Sequence, residues 1–146
     1  MTDQSTIIAH TDGACRGNPG PGGWGAVLRK GTKVKELYGG VKHTTNQRME
    51  LQAAIEVLKA LKKPDRVITI YSDSKYVVDG ISKWITDWKK NGWRNSQRKP
   101  VANQGQWEEL DALNAQHRVR WEWVKGHSGN LGNEAADALA KKGIPI

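Results

Sequence analysis

The chain has 146 residues, of which 23 are Lys or Arg and 15 are Asp or Glu, so its formal net charge is +8. This length predicts one domain over residues 1–146, and the basic excess favours a polyanionic partner, nucleic acid before an anionic membrane. One cysteine excludes an internal disulfide, the polar residues after Met1 are not a signal peptide, and no apolar run could span a bilayer, so we expect a monomeric cytoplasmic protein.

The N-terminal part of the chain predicts an antiparallel meander of three strands. Ser5 to Thr11 has the pattern of a strand, and Gly17 to Gly23 is rich enough in Gly and Pro to form a turn. Two further strands, Trp24 to Lys30 and Lys33 to Val41, flank Gly31-Thr32, which indicates a hairpin.

A helix and a fourth strand follow the meander. Thr44-Thr45-Asn46-Gln47 predicts a capping box, and the apolar stripe of the helix continues to Leu61 before Lys62-Lys63-Pro64 ends it. Arg66 to Tyr71 is a short β-branched strand. Strands that alternate with helices predict an α/β protein.

The second half of the chain continues this alternation. In order, the patterns predict helical segments from Ser74 to Lys90, a loop from Asn91 to Ala102, a helix from Asn103 to Ala115, a strand from Arg118 to Val124 and an alanine-rich helix that ends before Gly143. Val119, Trp121 and Trp123 share one face of the last strand, as a half-buried strand requires. Neither a repeat nor a long linker interrupts this order, which agrees with one domain.

Four acidic side chains occupy positions where a carboxylate is unexpected. Asp12 and Asp73 each follow an apolar strand pattern. Glu50 falls on the core-facing stripe of the first long helix, and Asp137 lies among alanines of the last one. A carboxylate on a core-facing stripe is costly to desolvate unless a positive charge compensates it. Taken singly, Asp12 and Asp73 are better explained as turn or cap residues.

The predicted strand order brings these acids together. Ligands of α/β sheets gather at the carboxyl ends of parallel strands, and Asp12 and Asp73 follow the first and fourth strands, which we expect to be neighbours. The helices that carry Glu50 and Asp137 can approach the same edge. Carboxylates without paired Cys or His favour Mg²⁺ or Mn²⁺ over Zn²⁺. The four acids together therefore predict a divalent metal site.

Positive charge is concentrated between Lys83 and Pro100, a stretch that we call the basic segment. One acid, Asp87, accompanies six basic residues there: Lys83, Lys89, Lys90, Arg94, Arg98 and Lys99. Basic side chains neutralise phosphates, and the interleaved tryptophans could pack against sugars. The i, i+4 spacing of Trp84 and Trp88 also indicates a helix packing seam, so we expect Trp84 at the surface and Trp88 in the packing.

Several motifs occur along the chain in a fixed order. They are Thr11-Asp12-Gly13-Ala14, Gly17-Asn18-Pro19-Gly20-Pro21-Gly22-Gly23-Trp24-Gly25, Thr44-Thr45-Asn46-Gln47-Arg48-Met49-Glu50-Leu51, Ser72-Asp73-Ser74-Lys75-Tyr76-Val77, the basic segment, Trp121-Glu122-Trp123-Val124-Lys125-Gly126-His127 and Asn133-Glu134-Ala135-Ala136-Asp137. In wording and order they resemble the bacterial type 1 ribonuclease H family over essentially the whole chain. The resemblance implies the ribonuclease H-like fold, in which helices flank a five-stranded mixed sheet made of a three-strand antiparallel meander plus parallel strands.

The resemblance also implies a reaction. The family cuts the RNA strand of RNA·DNA hybrids with two Mg²⁺ ions, for which Mn²⁺ can substitute, and leaves 5′-phosphate and 3′-hydroxyl ends. Asp12 would bridge the ions, and Glu50, Asp73 and Asp137 would complete their ligands. His127 would aid proton transfer or product release, although by itself it fits an ordinary exposed loop histidine. The alternatives are a DNA-cutting integrase or resolvase-like nuclease on the same fold and a noncatalytic hybrid-binding module.

Contacts with the hybrid are implied as well. Cys15, Arg16 and Asn18, together with Asn46 and Gln47, would touch the minor groove, where 2′-hydroxyls distinguish RNA from DNA. Asn18 equally fits a turn before the proline that follows it.

Two further predicted contacts have competing explanations, and the basic segment provides another set of contacts. Thr45 is either a phosphate contact or a helix cap, with the cap favoured. Glu134 either complements a helix dipole or contacts the metal ligands or the substrate. The basic segment resembles the family's basic handle, whose contacts here would be Trp84, Lys89, Lys90, Trp93, Arg94, Arg98 and Lys99.

Overall fold

The computed structural model describes residues 6–126 and 128–145. Its strands are β1 (Ile7–Cys15), β2 (Gly20–Lys30), β3 (Lys33–Thr44), β4 (Val67–Ser72) and β5 (Arg118–Trp123). Its helices are α1 (Asn46–Lys59), α2 (Lys75–Asp79), a π-helical turn (Gly80–Trp84), α3 (Ile85–Asn91), α4 (Gln104–Ala115) and α5 (Leu131–Gly143). Within these residues no helix is both long and apolar enough to cross a bilayer.

The strands form one mixed sheet in the order β3-β2-β1-β4-β5. The pairs β1–β2 and β2–β3 are antiparallel, whereas β1–β4 and β4–β5 are parallel. The predicted α/β fold, the meander with its hairpin at Gly31 and the adjacency of the first and fourth strands are therefore confirmed.

Strand β1 is longer than its sequence pattern predicts, because its two edges pair over different lengths. Its parallel pairing with β4 ends at Thr11 and Ser72. Its antiparallel pairing with β2 continues through Asp12 to Cys15 and Gly22. The predicted end at Thr11 is therefore wrong for the strand but marks the end of its parallel ladder.

The glycine-rich stretch predicted as a turn over Gly17 to Gly23 is mostly strand, since β2 already begins at Gly20. A Cβ atom on Gly23 would lie 2.1 Å from the backbone oxygen of Ala140, and one on Gly25 would lie 2.5 Å from that of Ala136. These glycines let the backbone of α5 pack directly on the sheet.

Helix α1 fills the other face of the sheet and forms the centre of the core. The Thr45 side chain caps it by accepting a hydrogen bond from the Arg48 backbone N–H at 3.2 Å. Because Arg48 thus occupies the third helical position, the capping box predicted with Gln47 at that position is wrong. Fully buried side chains of α1, including Leu51 and Ile55, pack in one cluster with apolar residues of β1 and β4.

The helical segment that leads into the basic segment is fastened to α4 by aromatic side chains. The hydroxyl of Tyr76 accepts a hydrogen bond from Trp107 Nε1 at 3.0 Å. Gly80, in the π-helical turn, lies against the Trp107 ring so closely that a Cβ atom there would be 2.1 Å from it. Trp88 packs on the same ring at a centroid distance of 5.3 Å, in agreement with its predicted packing role.

We predict that Gly25→Ala destabilises the fold, because its new Cβ would meet backbone atoms of α5 that cannot rotate away. Thermal or denaturant unfolding is expected to show a loss of about 2 to 3 kcal/mol. Gly105→Ala is the matched control. That position in α4 has open space around it, so alanine is expected to be neutral or to stabilise by about 0.5 kcal/mol. Equal effects of the two substitutions would contradict the close approach of α5.

Candidate active site

Three acids from three elements meet at one edge of the sheet. Asp12 lies in β1 just beyond its last parallel pair, Asp73 directly follows β4, and Glu50 lies in α1. One carboxylate oxygen from each lies within 4.8 Å of the other two, a spacing that could hold a metal ion. The parallel pairing of β1 with β4 sets the first two acids side by side, as the sequence predicts.

Gly13 brings the third acid to this edge. A Cβ atom on Gly13 would lie 2.6 Å from the backbone nitrogen of Glu50, so only glycine lets α1 come this close to β1. The Gly13 N–H also donates a hydrogen bond of 2.9 Å to Asp12 Oδ1, which fixes one oxygen of that carboxylate. The same glycine therefore sets both the helix and the carboxylate.

Burial and like charge strongly raise the pKa of two of these acids, Asp12 and Glu50. Burial, then the charge of Asp73 and then a hydrogen bond with Asp137 raise the pKa of Asp12 to about 8. Burial is also the first cause that holds the pKa of Glu50 well above its usual range, followed by the charges of Asp12 and Asp73. Although Glu50 as a residue is only half-buried, its Oε2 is enclosed and has no hydrogen-bond partner among the described residues. A divalent cation would supply the missing partner and the missing positive charge.

Asp137 stands beside this group and outside its 4.8 Å limit. It approaches Asp12 closely enough for the hydrogen bond that contributes to the raised pKa. Its Oδ2 also accepts an ion pair from Lys141 Nζ at 3.1 Å, one turn further along α5. The fourth predicted acid is therefore adjacent to the other three, with its charge already partly paired.

Two further predicted site residues are His127 and Glu134. His127 is outside the described residues, so its predicted role stays a prediction. Glu134 is exposed in the first turn of α5, where a carboxylate complements the helix dipole. Asn130 caps this helix by accepting a hydrogen bond from the Asn133 N–H at 2.9 Å.

The predicted minor-groove residues come together next to the acids. The Asn18 side chain accepts a hydrogen bond from the Asn46 backbone N–H at 3.1 Å, which joins the β1–β2 turn to the start of α1. The Cys15 thiol donates to the backbone oxygen of Gly17 at 2.9 Å. Arg16 and Gln47 are exposed at this junction. Thr45 acts as the helix cap, the favoured alternative.

The cations of the basic segment are all exposed, and two of them, Lys83 and Lys89, form ion pairs. Lys90, Arg94, Arg98 and Lys99 are exposed. Lys89 is less free, because its Nζ pairs with Asp111 Oδ2 of α4 at 3.0 Å.

The tryptophans of the basic segment divide into packed and exposed side chains. Trp93 is half-buried and packs against the core rather than pointing outward. Trp84 is 39% exposed, as the sequence predicts for a surface contact.

Trp123 is a residue that the sequence reasoning misplaced. We predicted it on the half-buried face of β5, but its side chain is 43% exposed while Val119 and Trp121 pack against the core. The reason is that its indole turns to the carboxyl edge, where Nε1 donates to the backbone oxygen of Asp73 at 3.0 Å. The signal was present in the strand order, because β5 pairs with β4 and places Trp123 opposite Ser72.

Comparison of the sequence with models of known protein families identifies the family of this chain. The model of the RNase H family matches residues 4–145. The chain belongs to the RNase H family. A relative named Ribonuclease H, from Dechloromonas aromatica (strain RCB), is 58% identical over 144 residues, which cover 99% of this chain and 97% of the relative.

Solved structures agree with this membership. LC9-RNase H1, a type 1 RNase H with the type 2 active-site motif, has a TM-score of 0.87 at 30% identity, over 95% of this chain and 72% of that one. LC11-RNase H1 in complex with RNA/DNA hybrid has a TM-score of 0.73 at 22% identity, over 94% and 96% of the two chains, which is a likeness of fold alone.

We predict that without divalent cations Asp12→Asn stabilises the fold, and more so at high pH. A carboxyl whose pKa rises from 3.8 to about 8 on folding does not lower the free energy of unfolding at pH values below 3.8. Its cost grows as pH rises through this window, because the unfolded chain releases the proton first. Thermal midpoints with a chelator should therefore differ more at pH 8 than at pH 5.

The control for this measurement is Glu109→Gln, which removes one exposed charge from α4. It is expected to keep the pH trend of the native chain. If the advantage of Asp12→Asn were the same at both pH values, the raised pKa of Asp12 would be refuted.

Proposed function

We propose that this chain is a ribonuclease H, a metal-dependent endonuclease that hydrolyses the RNA strand of RNA·DNA hybrids and leaves 5′-phosphate and 3′-hydroxyl ends. The observation that carries the proposal is the converging group of Asp12, Glu50 and Asp73, whose oxygens lie within 4.8 Å of one another. Family membership and the relatives named Ribonuclease H support the same activity. We also propose one catalytic domain over residues 1–146, while the monomeric state and the cytoplasmic location stay predictions.

The carboxylates would hold two Mg²⁺ ions, or Mn²⁺ in their place. Asp12, which interacts with Glu50, Asp73 and Asp137, is best placed to serve both ions, and Asp137 would join on leaving its ion pair with Lys141. When bound, such cations activate water at neutral pH and stabilise the leaving oxygen of an in-line displacement. This chemistry requires no protein nucleophile. His127 would assist proton transfer or product release, as the family resemblance implies.

Two basic or amide-rich surfaces would bind the hybrid on either side of the acids. The exposed cations of the basic segment would contact phosphates. The junction of Asn18 with Asn46 would present amides to the minor groove, where RNA carries 2′-hydroxyls. Lys89, which pairs with Asp111, and Trp93, which packs against the core, are expected to support the segment more than to touch substrate.

The first functional test is Asp12→Asn, which keeps the shape of the side chain and removes its charge. We expect turnover to fall about 10³-fold or more, since cation stabilisation of developing charge is worth several kcal/mol. Affinity for the hybrid should remain. Single-turnover cleavage of an end-labelled RNA·DNA hybrid with Mg²⁺ measures the first quantity, and binding with chelator measures the second.

Glu109→Gln is again the control and should cleave as the native chain does. DNA·DNA and RNA·RNA duplexes of the same sequence should stay intact with the native chain. Cutting of the DNA duplex would favour the integrase-like alternative, and Mg²⁺-independent binding without cleavage would favour the noncatalytic one. Near-native cleavage by Asp12→Asn would exclude its role at the centre of the site.

The second functional test concerns the basic segment. Alanine replacement of four exposed cations that take part in none of the ion pairs described above should raise KM and leave kcat nearly unchanged. These side chains would touch phosphates and not the reacting group. The slope of log affinity against log salt should become shallower by up to roughly 0.9 for each lost phosphate contact. The four replacements are Lys90→Ala, Arg94→Ala, Arg98→Ala and Lys99→Ala.

A variant with equal charge change at the opposite end of the sheet controls for net charge. It carries Lys30→Ala, Lys33→Ala, Lys62→Ala and Lys63→Ala, all at exposed positions. This control is expected to retain most of the native salt slope. Similar slopes for the two variants would mean that general charge, and not the basic segment, attracts the hybrid.

A further inference from the structure

Asp73 is the least anchored of the three converging acids along its own chain. Asp12 lies within β1 and Glu50 within α1, whereas Asp73 stands between the end of β4 and the start of α2. The charge of Asp73 raises the pKa of both neighbours, so like charges act against its position. Something outside its own segment has to hold it at this edge.

We propose that Trp123 is a positioning residue that holds Asp73 in place for metal binding; this inference rests on the proposed function. Its Nε1 donates a hydrogen bond of 3.0 Å to the backbone oxygen of Asp73. The backbone pairing of the two strands ends one step earlier, where the Val124 N–H donates to the oxygen of Ser72 at 2.9 Å. The indole therefore extends the β4–β5 ladder by one residue, to the acid itself.

The chain that follows Trp123 also touches the carboxylate of Asp73. A Cβ atom on Gly126 would lie 2.8 Å from Asp73 Oδ2. This approach leaves no room for a side chain on Gly126. Trp123 therefore contacts the backbone of Asp73, and Gly126 lies against its carboxylate. The position of this acid is thus set from β5 and from the segment after it.

Lys75 makes a further contact with the Trp123 side chain. Its Nζ lies 4.7 Å from the centroid of the Trp123 ring, within the range of a cation–π contact. The Ser74 N–H donates to Ser72 Oγ at 3.0 Å, which turns the chain between the acid and the lysine. The indole therefore has polar contacts on its edge and its face, which accounts for its 43% exposure in a strand of otherwise packed apolar residues.

Trp121 offers a matched comparison within the same strand. Its Nε1 donates to Asn114 Oδ1 of α4 at 3.0 Å, a bond of the same kind and length. That bond fastens β5 to a helix and lies on the packed side of the strand. The two tryptophans therefore separate a purely structural indole hydrogen bond from one that ends on a proposed metal ligand.

The test compares Trp123→Phe with Trp121→Phe by titration of Mn²⁺ into substrate-free protein, followed by calorimetry. Each variant keeps an aromatic ring and loses one N–H donor. Groups that orient metal ligands typically contribute 10- to 100-fold in affinity, so Trp123→Phe is expected to weaken Mn²⁺ binding about tenfold. Trp121→Phe is expected to lower the thermal midpoint and leave the Mn²⁺ dissociation constant unchanged. Raised Mg²⁺ should restore turnover to Trp123→Phe.

Gly126→Ala provides a second route that does not remove a hydrogen bond. Its Cβ would displace the Asp73 carboxylate and is expected to weaken Mn²⁺ binding without a large fall in thermal midpoint. The proposal is overturned if the native chain binds Mn²⁺ and Trp123→Phe or Gly126→Ala, whichever folds, binds it equally well. If the native chain itself fails to bind Mn²⁺, the proposed metal-dependent function is wrong, and this inference fails with it.

Discussion

Mutual repulsion among converging carboxylates is the constraint on which the rest of this structure depends. Left to themselves, Asp12, Glu50 and Asp73 would separate and hydrate, because a low-dielectric site favours neither their charge nor their proximity. The fold opposes this tendency with backbone placement: a parallel ladder sets two of the acids and a helix sets the third. The Oε2 of Glu50, which has no hydrogen-bond partner in the part of the chain that the structure describes, shows the remaining cost. Proteins commonly store such strain where a ligand will relieve it.

Close backbone approach is the means by which the fold achieves this placement. Gly13 lets α1 reach β1, and Gly23 and Gly25 let α5 lie on β2. Each glycine sacrifices side-chain burial, but each brings a helix with an acidic residue nearer to the same sheet edge. The acids on the helices thus depend on glycines in the strands, so that the composition of β2 concerns function as much as packing.

Part of this arrangement could be predicted from sequence because it follows from rules of chain path. Parallel strands share a carboxyl edge, so Asp12 and Asp73 had to be neighbours once their strands were, and the inward stripe of α1 placed Glu50. Other features depend on partners distant in sequence. A glycine that lets a helix approach looks like a turn glycine in the sequence, as Gly23 does. Alternation along β5 cannot reveal that the indole of Trp123 turns to Asp73, or that Lys141 pairs with Asp137.

Because the two edges of β1 pair over different lengths, the sheet divides at one end of this strand. Up to Thr11 the strand is held on both sides, and from Asp12 to Cys15 it is held by β2 alone while the chain after β4 turns away into α2. The backbones of β1 and of the chain after β4 therefore diverge where Asp12 and Asp73 lie. Because chain path rather than side-chain bulk causes this divergence, an exchange of the acids would not remove it. The divergence is in this sense a more permanent property of the molecule than the charges beside it.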